Sequence, residues 1–335
     1  MSKRRVAFLA AKIIFAIVVI GWLLHKVDAS KVWKSVRGAD CLSVFLGILV
    51  CLVTVAIAGW RWHRLLGAFQ IEVSLKALLC IAQIGQFFAM FLPGPTGDDL
   101  TRMLYISRLA KDRVGEACTT VLIDRCIGLA SILLLAALCI PWQWNILSTS
   151  PQTHLLALIV LTAGIVISIV GCVFFIAGHP THRWFEHRLR SLPAFTFRDE
   201  LARIWGLLCA NKRSLATVTG AAMMTQLFLC LFYFLAGRAV GIHAPFAVWL
   251  SFVPIVLAAN AVPITLAGLG VREYLLVLFL GVLSHIDSEQ ALAASFVAFS
   301  MMLSVCLLGG IVYIFYRPKK DGNSDGQDFS KASAS

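Results

Sequence analysis

Charge is scarce in this chain, and the segments that could hold soluble chemistry are scarcer still. Only 14% of the 335 residues are charged, while 59% are hydrophobic, and the mean hydropathy is +0.86. The longest polar stretch, 179–214, is basic and has no Gly-rich phosphate loop, so nothing is readable that would hold a nucleotide donor. The ten cysteines have no CxxC spacing. Cys51, Cys80, Cys126, Cys139, Cys172, Cys230 and Cys306 lie inside apolar runs, where a thiol acts as a small hydrophobe. Neither a disulfide nor a metal site is expected from them. His182 and His187 are five residues apart and do not share a helix face, and His179 adds no ligand spacing. No Ser-His-Asp arrangement is readable. The expectation is a chain with no cofactor, no metal, no catalytic residues and no enzymatic activity.

What is present is long apolar runs near the ~20 residues that cross a bilayer core. Candidate spans are 6–24, 41–60, 118–140, 154–178, 216–238 and 291–316, with two interrupted regions at 75–101 and 246–284. The fold class expected is an all-α polytopic membrane protein with about eight membrane segments. Residues 1–316 form the membrane domain, in halves of about 1–140 and 154–316. The Lys-, Gly-, Ser- and Asp-rich remainder, 317–335, reads as a disordered cytoplasmic tail. Lys3-Arg4-Arg5 before an apolar run resembles a signal peptide, but Trp22-Leu23-Leu24-His25-Lys26 follows where a small-x-small cleavage site would stand. The segment reads as a retained first span.

The net charge of +12 lies between apolar runs, not on one soluble face, which argues for lipid headgroups and against nucleic acid as the partner. Loop 141–153 has no charge, whereas 179–214 carries Arg183, Arg188, Arg190, Arg198, Arg203, Lys212 and Arg213. The positive-inside rule then puts 179–214, 102–117 and both termini in the cytoplasm, in the cell (inner) membrane. Region 75–101 begins and ends inside, and 246–284 begins and ends outside. Their short helical pieces favour dips over full hairpins, so the two halves enter from opposite faces as an inverted repeat. The basic connection 25–40, with Lys26, Lys31, Lys34 and Arg37, conflicts with its outside assignment, and Val32, Trp33 and Val36 suggest a surface-lying helix there.

The interruptions share a pattern. One reads Leu92-Pro93-Gly94-Pro95-Thr96-Gly97-Asp98-Asp99-Leu100-Thr101-Arg102, the other Pro263-Ile264-Thr265-Leu266-Ala267-Gly268-Leu269-Gly270-Val271-Arg272-Glu273. Each has a proline nine residues before an arginine, and the two lie 170 residues apart. Pro93, Gly94, Gly97, Pro263, Gly268 and Gly270 are the expected break positions, because Pro and Gly end helices and expose unpaired backbone groups. In lipid such ends survive only inside protein or along a wet cavity. Asp98, Asp99 and Arg102 follow the first break, Arg272 and Glu273 the second, and Asp124 and Arg125 sit about ten residues into span 118–140. Ionisable groups inside a membrane cost roughly 2.5–3.5 kcal/mol each at its centre, so these seven are candidate substrate-binding residues. Gln83, Gln86 and Asn260 add polar groups nearby. The competing structural roles are helix capping by Asp98 or Asp99, pairing of Asp124 and Arg125 with distant partners, and neutralisation of a buried arginine by Glu273. Functionally, Arg102, Arg125 and Arg272 suit a phosphate held in forked geometry, with the acids balancing the empty site or taking a headgroup amine.

The Leu92-Pro93-Gly94 break with its acid and Arg102, Asp124-Arg125-x-x-Gly128, and Gly268-Leu269-Gly270-Val271-Arg272-Glu273 together resemble the transmembrane region of the lysylphosphatidylglycerol synthase family. That is the flippase-like part of the multiple peptide resistance factor. The resemblance implies movement of anionic, aminoacylated or isoprenoid-linked lipids between leaflets. It does not imply the synthase chemistry, which resembles a separate soluble domain. Gly97-Asp98-Asp99 departs from the Gly-Gly or Gly-Glu of many relatives and leaves open which aspartate works. Two alternatives remain: an intramembrane lipid-modifying transferase, with Asp98, Asp99 and Asp124 on a divalent ion, and a scaffold subunit beside a lipid-synthesis enzyme. The sequence assigns no lipid, energy source or oligomeric state.

Overall fold

Capping explains where the first long helix begins. In the computed structural model, which describes residues 33–34, 36–90, 96–148, 150–169, 212–261 and 270–316, Asp40 accepts from Leu42 N at 3.3 Å and Ser43 N at 2.9 Å. This satisfies donors that a helix start leaves orphaned. Helix α1 (Cys41–Ala68) follows, and Ser74 opens α2 (Leu75–Ala89) by accepting from Ala77 N. Then come α3 (Thr96–Leu109), α4 (Val114–Cys139), α5 (Pro151–Ile169), α6 (Lys212–Ala239), α7 (Phe246–Ala261), α8 (Val271–Ser284) and α9 (Ser288–Phe315). No strand occurs among the described residues.

Five helices are long and apolar enough to cross a membrane: α1, α4 with its flanking turns, α5, α6 and α9. The 28 residues of α1 give about 42 Å at 1.5 Å each. By contrast, α2 has 15 residues and α3 has 14, about 22 Å, short of the ~30 Å hydrocarbon core. The same holds for α7 and α8, with 16 and 14 residues. Each interrupted region is therefore a pair of short helices. Helix α1 runs eight residues past the expected end at 60, to Ala68, because Arg61 finds a buried partner instead of water. Span 6–24, the breaks Pro93, Gly94, Pro263 and Gly268, the connection 179–211 and the tail 317–335 lie outside the described residues. Of the connection 25–40, Trp33, exposed, lies under the Arg37 guanidinium at 5.0 Å, and Val36 packs against the core.

Two sets of four helices repeat: α1 to α4 and α6 to α9. Contacts are preserved when one set is exchanged for the other. Helix α2 packs on α1, α3 and α9, and α7 packs on α6, α8 and α4. The most extensive packing is α1 against α6, which map onto each other. These two run antiparallel. Asp40 N donates to Ala239 O at 2.8 Å, Gly47 faces Leu235, and Ser214 Oγ donates to Arg64 O at 3.5 Å. A two-fold axis across the helices relates the halves, so one is upside down relative to the other, as the loop charges required. Two apolar cores form, each built mainly from one half and completed by the other, through Val218 in the first and Leu135, Ala136 and Ile140 in the second. Trp62, Leu78, Ile81, Ile106 and Val121 fill one, and Trp249, Phe252, Phe279 and Leu292 belong to the other.

The halves are fastened by small residues. A Cβ on Gly309 of α9 would lie 2.1 Å from Gln83 O of α2, whose side-chain Nε2 donates to Val305 O at 2.7 Å. Gly220 of α6 has nothing within 4 Å of such a Cβ. Gly309→Val should therefore lower stability by on the order of 1–3 kcal/mol, read as a fall in the thermal midpoint in detergent, while Gly220→Ala leaves it unchanged. Equal midpoints would contradict this packing.

Candidate functional site

The short helix α3 can lie against α2 only because Gly85 has no side chain. A Cβ there would stand 1.9 Å from Asp98 Oδ1. Gly97 is as tightly placed, with Phe88 O 2.5 Å from its virtual Cβ. Asp98 and Asp99 occupy the first turn of α3, where acids complement the helix dipole. Arg102 follows one turn later and its Nε donates to Asp98 Oδ1 at 2.9 Å.

Asp124 of α4 is the hub. Arg61 grips it in forked geometry, Nε to Oδ1 at 2.6 Å and Nη2 to Oδ2 at 2.8 Å, and Arg102 Nη1 adds a third bond to Oδ2 at 3.3 Å. All three are almost wholly buried: Arg61 is 6% exposed, Arg102 5% and Asp124 3%. Arg102 also lies 5.5 Å from the Trp62 ring centroid, and the Trp62 indole N–H is fixed on Thr120 Oγ1 at 3.1 Å. Arg125 is held more loosely. Its Nη1 meets Asp99 Oδ2 at 3.0 Å, with side-chain exposures of 27% and 19%.

The second half builds a smaller group. Gly270 has φ +89°, a backbone region open to glycine, and its N–H donates to Glu273 Oε2 at 2.5 Å. Glu273 Oε1 accepts from Arg272 Nη2 at 2.5 Å and from Ser295 Oγ at 3.1 Å. Arg272 Nε reaches Ser295 Oγ at 3.1 Å, its guanidinium has the Tyr233 side chain as a neighbour, and it lies 5.4 Å from the Phe299 ring.

One cavity of about 420 Å³ joins both groups. Its wall includes Asp98, Asp99, Arg102, Asp124, Arg125 and Arg272, with Gln86 and Asn260. Glu273 is not on that wall: at 0% exposure it stands behind Arg272 and holds both the arginine and the α8 start in place. The free helix N-terminus expected after the second break is thus partly occupied by the chain's own carboxylate. Gln83 is also turned away, toward α9. Gly97 and Gly270 act as backbone joints, while Pro93, Gly94, Pro263 and Gly268 are outside the described residues.

The equal proline-to-arginine spacing misleads about register. Helix α3 starts at Thr96, which puts Arg102 in its second turn, whereas α8 starts at Val271, which puts Arg272 in its first. The three arginines also do not converge on one point; each is bonded to an acid of its own half. Asp98, Asp99 and Asp124 likewise each face a guanidinium, and no trio of acid, histidine or cysteine side chains among the described residues is grouped to hold a metal.

Among the wall residues that escaped the sequence reading are Arg61, Gln226 and Tyr233. Arg61 stands in Trp60-Arg61-Trp62-His63-Arg64, which looks like an interfacial belt at a span's end. The signal that finds it is periodicity. Cys51, Thr54, Ala58 and Arg61 recur every three or four residues, a polar and small stripe on an otherwise apolar helix, and all line the cavity. Gln226 Nε2 donates to Gly128 O at 3.3 Å, leaving its Oε1 without a partner among the described residues, and Asn260 Oδ1 is in the same state.

Removing Asp124 leaves two buried guanidinium groups short of a counter-charge. Asp124→Asn should cost roughly 3–5 kcal/mol. Arg125→Gln, which breaks a half-open pair, should cost about 1 kcal/mol or less. Comparing thermal midpoints of the two purified variants checks the order, and a reversal would displace Asp124 from the hub.

No curated protein matches the chain. Residues 9–310 match the family described as the lysylphosphatidylglycerol synthase TM region, and the described motifs and the site fall within that range. The chain is a multi-pass membrane protein and belongs to the lysylphosphatidylglycerol synthase TM region family.

Proposed function

We propose that the protein moves lipids with anionic heads between the leaflets of the cell (inner) membrane, the acyl tails staying in lipid while the head crosses the cavity. The observation that carries this is a single cavity of about 420 Å³ walled by both inverted halves and lined by buried arginines and acids. A soluble-substrate site would not need membrane-length helices around it, and a purely structural ion-pair network would not need a cavity.

Charge balance supports the reading. Arg61, Arg102, Arg125 and Arg272 are matched by Asp98, Asp99, Asp124 and Glu273. The empty site therefore has no large net charge to keep buried, yet Arg125 is paired through one nitrogen and can turn to a phosphate. Acids alongside would take a headgroup amine. In this reading residues 1–316 act as one translocating domain, both termini face the cytoplasm, and the chain makes and breaks no covalent bond of its own. Its partners are membrane lipids and, by chemistry, an enzyme that supplies the modified head. The divalent-ion alternative is weaker because the acids it would use are already engaged by guanidinium groups.

Reconstitution tests this. Proteoliposomes holding fluorescently labelled phosphatidylglycerol, with outer-leaflet label bleached by an impermeant reductant, should lose label beyond the outer half faster than empty vesicles. Arg125→Gln should slow the loss at least tenfold while lowering stability by no more than about 1 kcal/mol. Exchange no faster than in empty vesicles, across phosphatidylglycerol and its aminoacylated forms, overturns the proposal.

A further inference from the structure

The ion pairs leave some neutral oxygens in the cavity wall unaccounted for. Gln226 is 5% exposed, and its Oε1 has no donor among the described residues. Asn260 Oδ1 is buried and has none either. Both residues line the cavity, as does Thr225. The Gln226 amide is fixed in orientation. Its Nε2 donates to Gly128 O at 3.3 Å, and the reversed amide would set two acceptors against each other. Thr225 Oγ1 spends its proton on Ala221 O at 2.9 Å, so only lone pairs remain for a ligand.

Helix register brings the two amides level. Helices α6 and α7 pack on each other and are joined by residues 240–245, a short connection that makes them antiparallel. They touch where a Cβ on Gly237 would run into the Trp249 ring. Gln226 stands eleven residues before Gly237, and Asn260 eleven residues after Trp249. Eleven residues are about three turns, or about 16 Å, so each amide returns to its helix's inward face at the same depth. Helix α4 packs on both and carries the Gly128 that anchors Gln226.

Carbonyl and hydroxyl oxygens without formal charge suit a hard monovalent cation, the chemistry by which helix-break carbonyls hold sodium in membranes. A divalent ion needs carboxylates, and those on this wall are engaged by guanidinium groups. The Arg61 guanidinium passes close to Gly128, but it is forked on Asp124 and brings no net charge. Arg125, one turn before Gly128 on α4, holds Asp99 through one nitrogen. A phosphate that takes Arg125 leaves Asp99 without its counter-charge. The wall then has a surplus negative charge, which a cation balances.

We infer that Gln226 Oε1, Asn260 Oδ1 and Thr225 Oγ1 form a site for one alkali-metal cation, sodium or potassium, that is occupied together with an anionic head. The joint occupancy rests on the anionic-head reading of the cavity, whereas the cation site stands on the oxygens themselves. With the ion aboard, a singly negative head crosses as a neutral pair.

The full chain, purified in detergent and choline chloride, is titrated with radiolabelled sodium and, separately, with radiolabelled rubidium in place of potassium. The wild-type chain should bind one ion of at least one kind, and the tighter of the two identifies the cation. Gln226→Leu and Asn260→Ala should each weaken binding by about tenfold or more, while Gly220→Ala leaves it unchanged. Thermal midpoints in choline chloride show which variants are folded, and Thr225→Val replaces either one that is not. Dioctanoylphosphatidylglycerol should tighten cation binding by about fivefold. Binding of neither ion overturns the inference, as does equal binding by wild type and the folded variants. Cation binding that the lipid leaves unchanged overturns the joint occupancy. Leaflet exchange separates this from the transport proposal. Exchange as fast in choline chloride as in sodium or potassium chloride, with no ion bound, sinks the cation site alone. A cation bound at these residues with no exchange of lipid sinks transport alone.

Discussion

A carboxylate shared by two guanidinium groups, sealed from water, is the constraint around which the first half is organised. Asp124 cannot be buried alone, and neither can Arg61 or Arg102. Their pairing fixes α1, α3 and α4 relative to one another at a point where lipid would supply no partner. It also determines the helix ends. Helix α1 extends to Ala68 because Arg61 must reach Asp124, and α3 must start early enough to bring Asp98 and Arg102 into line with it.

Apolar packing alone gives little direction to helices in a bilayer, since lipid tails are as apolar as leucine. Direction comes here from close backbone approach and polar fasteners. Gly85 admits Asp98, Gly309 admits the backbone of Gln83, and Gln83 then bonds Val305 O across the boundary between halves. The second half relies on a tighter device. Glu273 ties Gly270 N–H, Arg272 and Ser295 into one unit, so the α8 start and the arginine are set together.

Much of this was legible in the sequence because charge, proline and glycine are conspicuous in apolar surroundings. The paired short helices, the inverted arrangement and the family could be read from Leu92-Pro93-Gly94, Asp124-Arg125 and Gly270-Val271-Arg272-Glu273. What could not be read was who pairs with whom. Arg61 and Asp124 are 63 residues apart, and no local pattern encodes that contact. Arg61 was further hidden by flanking aromatics typical of a membrane boundary. The matched proline-to-arginine spacing suggested equivalent placements for Arg102 and Arg272, but register depends on where each helix begins, and Gly270 delays α8. Glu273 looked like a cavity acid because sequence gives adjacency to Arg272 and not the side on which the carboxylate lies.

The even count of acids and bases around the cavity has an electrical consequence. With four of each once Glu273 behind the wall is counted, the site carries no formal net charge. Membrane voltage therefore exerts little net force on the protein itself as those walls shift. Under the proposed transport, the full work of the field, about 2.3 kcal/mol per elementary charge per 100 mV, would fall on the ion that makes the crossing. A singly negative passenger would be driven outward by an interior-negative potential, and one neutralised by an added amine would feel no bias at all.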